Sequence, residues 1–411
     1  MSKQITAIIV GAGHRAILYS LYALEHPDEL KIVGVADPDP IRRKKVAEMH
    51  GFGEEMCFRN AEELAARPKL ADAVINGTMD RQHVPTAVPL LRAGYDMLLE
   101  KPFAISEEEV NYLYKVVKET GRKVMICHVL RYAPFYVAIK QRLLSGEIGD
   151  IINIQATEHV SYHHLAVSFV RGKWGNEEKC GAPMLLAKCC HDIDFLLWLT
   201  GAHCRSLSSF GSLRWFRAAN APQTSTERCI DCPVEHDCPY SAVDLYCTRR
   251  DWISNFDVPQ GRTLDEVLLE ELRHGPYGRC IYRCDNDVVD HQLLTMELAD
   301  ETILSLSMDI FTQDDCRRTH IKMTHGEIFG DERKLHVHRF RRGHNRVYDF
   351  EELAGHPFHA GADLRLIEDF VDALTRPGHP FLCTIEDSIE SHRICFEAER
   401  SRRCGETIRL E

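Results

Sequence analysis

The residues with the plainest chemical potential are Glu100-Lys101-Pro102, which close the short apolar stretch Met97-Leu98-Leu99 just after Gly94. A lysine at a strand end can hydrogen-bond a substrate hydroxyl and assist the movement of its proton. Glu100 is placed to orient Lys101, and Pro102 stiffens the turn. Upstream, Gly11-Ala12-Gly13-His14-Arg15-Ala16 follows one apolar run and opens a helical pattern. Gly11 permits a tight turn, and Gly13 lets a pyrophosphate approach the backbone at a helix start. Asp37 ends the next apolar run, roughly 20 residues on, as expected of an acid that binds a ribose. A carboxylate there repels a 2′-phosphate and selects NAD. Arg42, Arg43, Lys44 and Lys45 follow closely and keep NADP as the alternative.

Parallel strands must position these groups. Ile5–Val10, Lys31–Ala36, Ala73–Asn76, Leu98–Leu99 and Val124–Cys127 read as strands. Helical patterns lie between them, over Arg15–Leu24, up to Met49, over His83–Ala93, and from a capping box at Ser106 and Glu109 to Gly121. This alternation predicts a doubly wound parallel sheet, with ligand at the strand C-termini. Beyond Pro134–Leu144 the pattern changes to alternating strands at Ile151–Thr157, Gln292–Leu298, Thr302–Met308 and His320–Met323, then helices at Leu364–Ala373 and Thr384–Arg403. The fold class is therefore α/β: an N-terminal Rossmann domain over residues 1–128, then an α+β substrate-binding and oligomerisation domain over 129–411 with a large, mainly antiparallel open sheet. The long irregular stretch at about 218–280 is expected to have a specific task.

Composition excludes several classes. A net charge of −12 argues against nucleic-acid and membrane-surface partners. No apolar run approaches the roughly 20 residues that cross a bilayer. Met1-Ser2-Lys3-Gln4-Ile5 leads straight into a strand with no secretion signal, so a cytoplasmic location is expected. The 16 cysteines then read as reduced thiols rather than a disulfide framework. Three of them, Cys229, Cys232 and Cys238, sit in C-x2-C-x5-C spacing within the irregular stretch, which fits three ligands of a structural zinc. Cys247, Cys280 and Cys284 are candidates for the fourth. Cys280 is preferred, because the turn Gly275-Pro276-Tyr277-Gly278 can fold it back. Iron–sulfur ligation and unligated thiols are the alternatives.

Taken together, Gly11-Ala12-Gly13-His14-Arg15, Thr78-Met79-Asp80-Arg81-Gln82-His83, Glu100-Lys101-Pro102, Arg131-Tyr132 and His191-Asp192-Ile193-Asp194 resemble the Gfo/Idh/MocA oxidoreductases over nearly the whole chain. The resemblance implies a site between domains, with Lys101 and His191 flanking a sugar or polyol. It places Gly11, Gly13, His14, Arg15, Asp37, Thr78, Asp80, His83, Glu100, Lys101 and Arg131 along the cofactor and its pocket. It also implies a homo-oligomer, a dimer or tetramer built on the open sheet. Where many relatives carry an acid four residues before the histidine, this chain has Ala187, beside Lys188. Lys188 is therefore expected to contact substrate, or Asp192 to serve His191. The segment Glu158–His164 followed by Arg171 and Trp174 resembles a subgroup motif in which His164, Arg171 and Trp174 approach substrate. His359 matches a further pocket-proximal segment.

The leading expectation is an NAD-dependent dehydrogenase acting on a sugar, polyol or glycoside hydroxyl. The alternative is a redox-neutral glycosidase that oxidises a ring hydroxyl transiently and eliminates the aglycone, with His164 or Tyr162 as the base. A non-catalytic NAD-dependent sensor ranks last, since Lys101 and His191 are both present.

Overall fold

The computed structural model describes residues 4–341, 345–354 and 357–410. The N-terminal residues Met1-Ser2-Lys3 of the sequence reading lie outside them. Six strands, β1 (Ile5–Val10), β2 (Leu30–Ala36), β3 (Cys57–Phe58), β4 (Ala73–Asn76), β5 (Asp96–Leu99) and β6 (Val124–Ile126), form a parallel sheet. Their order is β3-β2-β1-β4-β5-β6. Helices cover both faces, and every residue of β4 is buried, which is why these strands read as unbroken apolar runs. The order reverses between β1 and β4, so a crevice opens where the Gly11 turn and Thr78 leave the sheet.

Local chemistry sets the helix ends. Asp39 caps Pro40–His50 by accepting from Ile41 N. Ser106 accepts from Glu109 N at 3.2 Å, and Gly121, at φ +61°, ends that helix. The capping box expected there is only half formed, because Glu109 Oε2 accepts from Ile105 N instead. The helix expected over Arg15–Leu24 splits into His14–Ser20 and Tyr22–Glu25.

The second sheet has nine strands: β7 (Ile151–Ser161), β8 (Cys204–Ser212), β9 (His291–Leu298), β10 (Ile303–Thr312), β11 (Cys316–Met323), β12 (Gly326–Gly330), β13 (Lys334–Arg339), β14 (Arg346–Asp349) and β15 (Ile408–Arg409). Their order is β14-β13-β12-β11-β7-β10-β9-β8-β15. The sheet is antiparallel except where β7 lies parallel to β10. One face packs on the helices Met184–Thr200 and Ile385–Cys404. Strand β9 alternates exposed and buried residues accordingly. An apolar cluster runs from Ile9 and Tyr19 through Tyr136 and Leu196 to Leu306 and Ile394, joining the two halves.

The irregular stretch is an insert between β8 and β9. Its regular element is the helix Leu264–His274, opened by a complete capping box of Thr263 and Glu266. Leu245, Tyr246, Leu268 and Leu272 give it an apolar cluster of its own. Among the described residues no helix is long and apolar enough to cross a membrane.

Candidate active site

The turn after β5 is fixed from several sides. Glu100 Oε1 accepts from Tyr19 Oη at 2.6 Å and Arg15 Nε at 3.1 Å, while its Oε2 accepts from Lys101 N at 3.0 Å. Burial by itself raises the Glu100 carboxyl, but Arg15 and Lys101 outweigh it and hold the group below its ordinary range. His83 Nδ1 faces Pro102 O at 2.7 Å and Nε2 faces Thr78 O at 3.0 Å, tying this turn to the end of β4. Lys101–Pro102 is a cis bond.

So held, Lys101 crosses to the helix Met184–Thr200, where Nζ donates to Ala187 O at 2.8 Å. His191 lies one turn further along the same helix. It is buried, and Nδ1 has no hydrogen-bond partner. Burial, then the nearby Lys101 and His128, push His191 well below the ordinary histidine range, so the ring is neutral at pH 7.

A cavity of about 370 Å³ opens on the same helix at Lys188 and is lined also by His164, Trp252, Arg317, Glu332 and His359 among others; Lys101 and His191 are not in its lining. Several of its charged groups are paired. Lys188 Nζ meets Glu158 Oε1 at 3.0 Å, and Arg317 Nε meets Glu158 Oε2 and Asp192 Oδ1, each at 2.8 Å. His164 Nδ1 pairs with Asp315 Oδ1 at 2.9 Å, and His359 Nδ1 with Asp363 Oδ2 at 2.7 Å. Burial and Lys188 lower His164 despite Asp315. Burial raises Asp192 to about 7 against the pull of Arg317.

The glycine turn forms the adjoining cofactor cradle. Gly11 has φ +77°, and a Cβ there would stand 2.7 Å from Thr78 backbone atoms, so only glycine fits. Gly13 precedes the helix His14–Ser20, whose N-terminus no side chain caps. Asp37 Oδ2 accepts from Ala12 N at 2.7 Å, bracing the turn from β2. These features fit a dinucleotide, with Gly11, Gly13, Asp37 and Thr78 around it.

Comparison with known proteins agrees. Residues 5–128 match the oxidoreductase family with an NAD-binding Rossmann fold named for Gfo, Idh and MocA, and residues 136–237 match that family's C-terminal domain. The chain belongs to the Gfo/Idh/MocA family. Its curated relatives include the putative oxidoreductase YteT of Bacillus subtilis, 25% identical over 218 residues, covering 51% of this chain and 50% of that protein. Another is scyllo-inositol 2-dehydrogenase (NAD(+)) of the same organism, 27% identical over 213 residues, covering 52% and 59%. The chain thus spans about half the length of the curated relatives it matches. Among solved structures, an oxidoreductase from Agrobacterium radiobacter, in complex with NAD+, L-tartaric acid and magnesium, has the same fold at TM-score 0.71 and 14% identity, covering 99% of this chain and 98% of that one.

Within this Gfo/Idh/MocA frame several expected residues are redirected. Tyr162 Oη accepts from Arg249 Nη1 at 3.0 Å in the insert and does not line the cavity. Arg171 is 1% exposed and faces the cysteine loop, donating to Arg279 O at 2.8 Å, Tyr240 O at 2.7 Å and Cys229 Sγ at 3.4 Å. Trp174 Nε1 donates to Asp80 Oδ2 at 3.0 Å, which turns both residues to the seam between the halves. Arg131 is committed to Asp194 through two bonds of 2.8 Å, and Asp192 to Arg317.

The zinc expectation is corrected as well. Cys229, Cys232, Cys238 and Cys280 do line one small cavity of about 20 Å³, together with Arg171. Among the described residues, however, no group of three or more His, Cys, Asp or Glu side chains is arranged to hold a metal ion. The Arg171 guanidinium reaches into the cluster and ties the loop by hydrogen bonds.

Two site residues escaped the sequence reading. Lys173 is pulled below the ordinary lysine range by burial, against Asp80, and lines a cavity with Met79, Arg81 and Gln82. Its signal was its place in Gly172-Lys173-Trp174, next to residues that were singled out. Trp252 comes from the insert, where neither periodicity nor a motif marks it.

Proposed function

We propose that the protein is an NAD-dependent dehydrogenase that oxidises a hydroxyl-bearing carbon of a sugar or cyclic polyol. The observation that carries this is the approach of Lys101 to the helix bearing a neutral, buried His191, beside the glycine turn. NAD, when bound, supplies the hydride acceptor. Lys101 Nζ binds the reacting hydroxyl oxygen and polarises it. His191 takes the hydroxyl proton at Nε2, the ring nitrogen not sealed in the protein, as the carbon becomes a carbonyl. Glu100 fixes the Lys101 backbone, and the paired charges of the cavity orient the remaining hydroxyls.

Asp37 supports NAD over NADP. Arg43 Nη1 is engaged with the Asp37 and Pro38 carbonyls, and Arg42 with Asp257 at 2.9 Å, so neither is free for a 2′-phosphate. The open sheet supports a homo-oligomer, since Phe210 and Leu293 pair in register and are both exposed. Light scattering that gives a monomer mass would overturn that element.

One observation favours a second reading, the redox-neutral glycosidase. His164, oriented by Asp315 and neutral, lines the cavity where such an enzyme needs a base. One assay separates the readings. The purified protein is incubated with NAD and a panel of inositols, pyranoses and aryl glycosides. Accumulating NADH without aglycone release supports the dehydrogenase. Aglycone release without net NADH moves the assignment to the glycosidase. Neither signal across the panel refutes both.

A further inference from the structure

Trp252 belongs to the insert, not to either sheet, yet it lines the same cavity as Lys188 and His359. Its backbone sits at φ +60° and ψ 14°, a left-handed conformation that a bulky residue adopts only when its surroundings impose it. Those surroundings are visible. Nε1 donates to His163 Nδ1 at 3.2 Å, the ring lies 4.7 Å from that of His164, and the side chain packs on the apolar cluster of the insert. The indole is thus held as a wall of the cavity by residues that follow β7 on one side and by the insert on the other.

The chemistry of the same cavity limits what can lie on that wall. Lys188 and Arg317 each meet Glu158, and Arg317 also meets Asp192, so these two cations already carry carboxylate partners. Paired charges beside an aromatic face suit a neutral ring that is polar at its edge and apolar over its faces. We infer that Trp252 is a ring-stacking platform, carried by the insert, that selects neutral cyclic polyols and pyranoses over acyclic polyols. This deepens the proposed dehydrogenase reading and rests on it.

The test compares wild type with Trp252→Ala, Trp252→Leu and Trp252→Phe on two probes. One is whichever cyclic member of the panel wild type oxidises fastest with NAD, and the other is acyclic sorbitol. The expected result is a KM for the cyclic probe raised about tenfold in the Ala and Leu variants, corresponding to ~1.4 kcal/mol. In those variants kcat changes little, Phe restores most of the loss, and sorbitol kinetics move less than those of the cyclic probe. Leu fills the volume without an aromatic face, so it separates stacking from simple packing if Ala unfolds the insert. An unchanged cyclic KM in the Leu variant, or equal losses on both probes, overturns the platform while NADH formation by wild type leaves the dehydrogenase standing. No oxidation of any panel member by wild type removes the dehydrogenase reading and this inference with it.

Discussion

Where relatives commonly present a relay acid, this chain presents a backbone carbonyl: Ala187 O accepts from Lys101 Nζ at 2.8 Å. On the proposed reading, the proton chemistry therefore rests on Lys101 and His191 without a carboxylate on that turn. Burial and the Lys101 charge keep His191 well below the ordinary histidine range. A base whose pKa is lowered stays deprotonated, hence active, until the pH falls below that lowered value. The acid limb of kcat/KM is accordingly expected below pH 6.5, and a profile that already falls with acidification above pH 7 would show that His191 is not the base. The turn at Glu100-Lys101-Pro102 was legible in sequence as a strand end closed by a proline, whereas the helix Met184–Thr200 that carries His191 towards it was not read as a helix. Arg131, Arg171 and Trp174 carried the right chemistry to the wrong partners. Asp194, the Arg279 carbonyl and Asp80 meet them only through tertiary packing, which no local spacing encodes.

At the scale of elements, five of the six parallel strands were readable because burial on both faces leaves unbroken apolar runs, while the two-residue β3 was too short to read. The strands β12, β13 and β14 were not. They are short and rich in Gly, Lys, Arg and His, so their alternation is faint. The glycine turn is the element most sensitive to a single methyl group. Gly11→Ala is expected to cost about 1–2 kcal/mol in backbone strain alone, with a further loss from the contact with Thr78. Denaturant unfolding and NAD titration should both register it; unchanged NAD affinity would contradict the cradle. Arg171→Ala, outside the insert, removes the donor to two carbonyls and a thiol of the insert. Leaving buried acceptors unpaired should cost about 3 kcal/mol. Limited proteolysis should then cut the variant within 218–280, while a protease pattern like that of wild type would show that Arg171 does not hold the loop.

For the whole molecule, the two halves share one apolar cluster, and within the second half a buried ion pair joins its start to its central helix. Arg131 meets Asp194 there, both nearly inaccessible to water. Asp194→Asn strands a buried guanidinium, and a loss of about 3–5 kcal/mol is expected in chemical denaturation. A change below 1 kcal/mol would mean that water already reaches the pair. The division into a parallel and a mainly antiparallel sheet was evident from the change of hydrophobic period near residue 150. The placement of the insert against the cavity was not, because Trp252 reaches it through contacts with His163 and His164 far away in sequence.

The central claim is that Lys101 does the chemistry at a cofactor site it does not itself build. It is tested most directly by measuring NAD affinity and NADH formation on the same Lys101→Ala sample. The account predicts NAD binding within about threefold of wild type and a kcat lowered by 10²-fold or more, in the range of a lost acid–base group. A variant that binds NAD and forms NADH at the wild-type rate would contradict it.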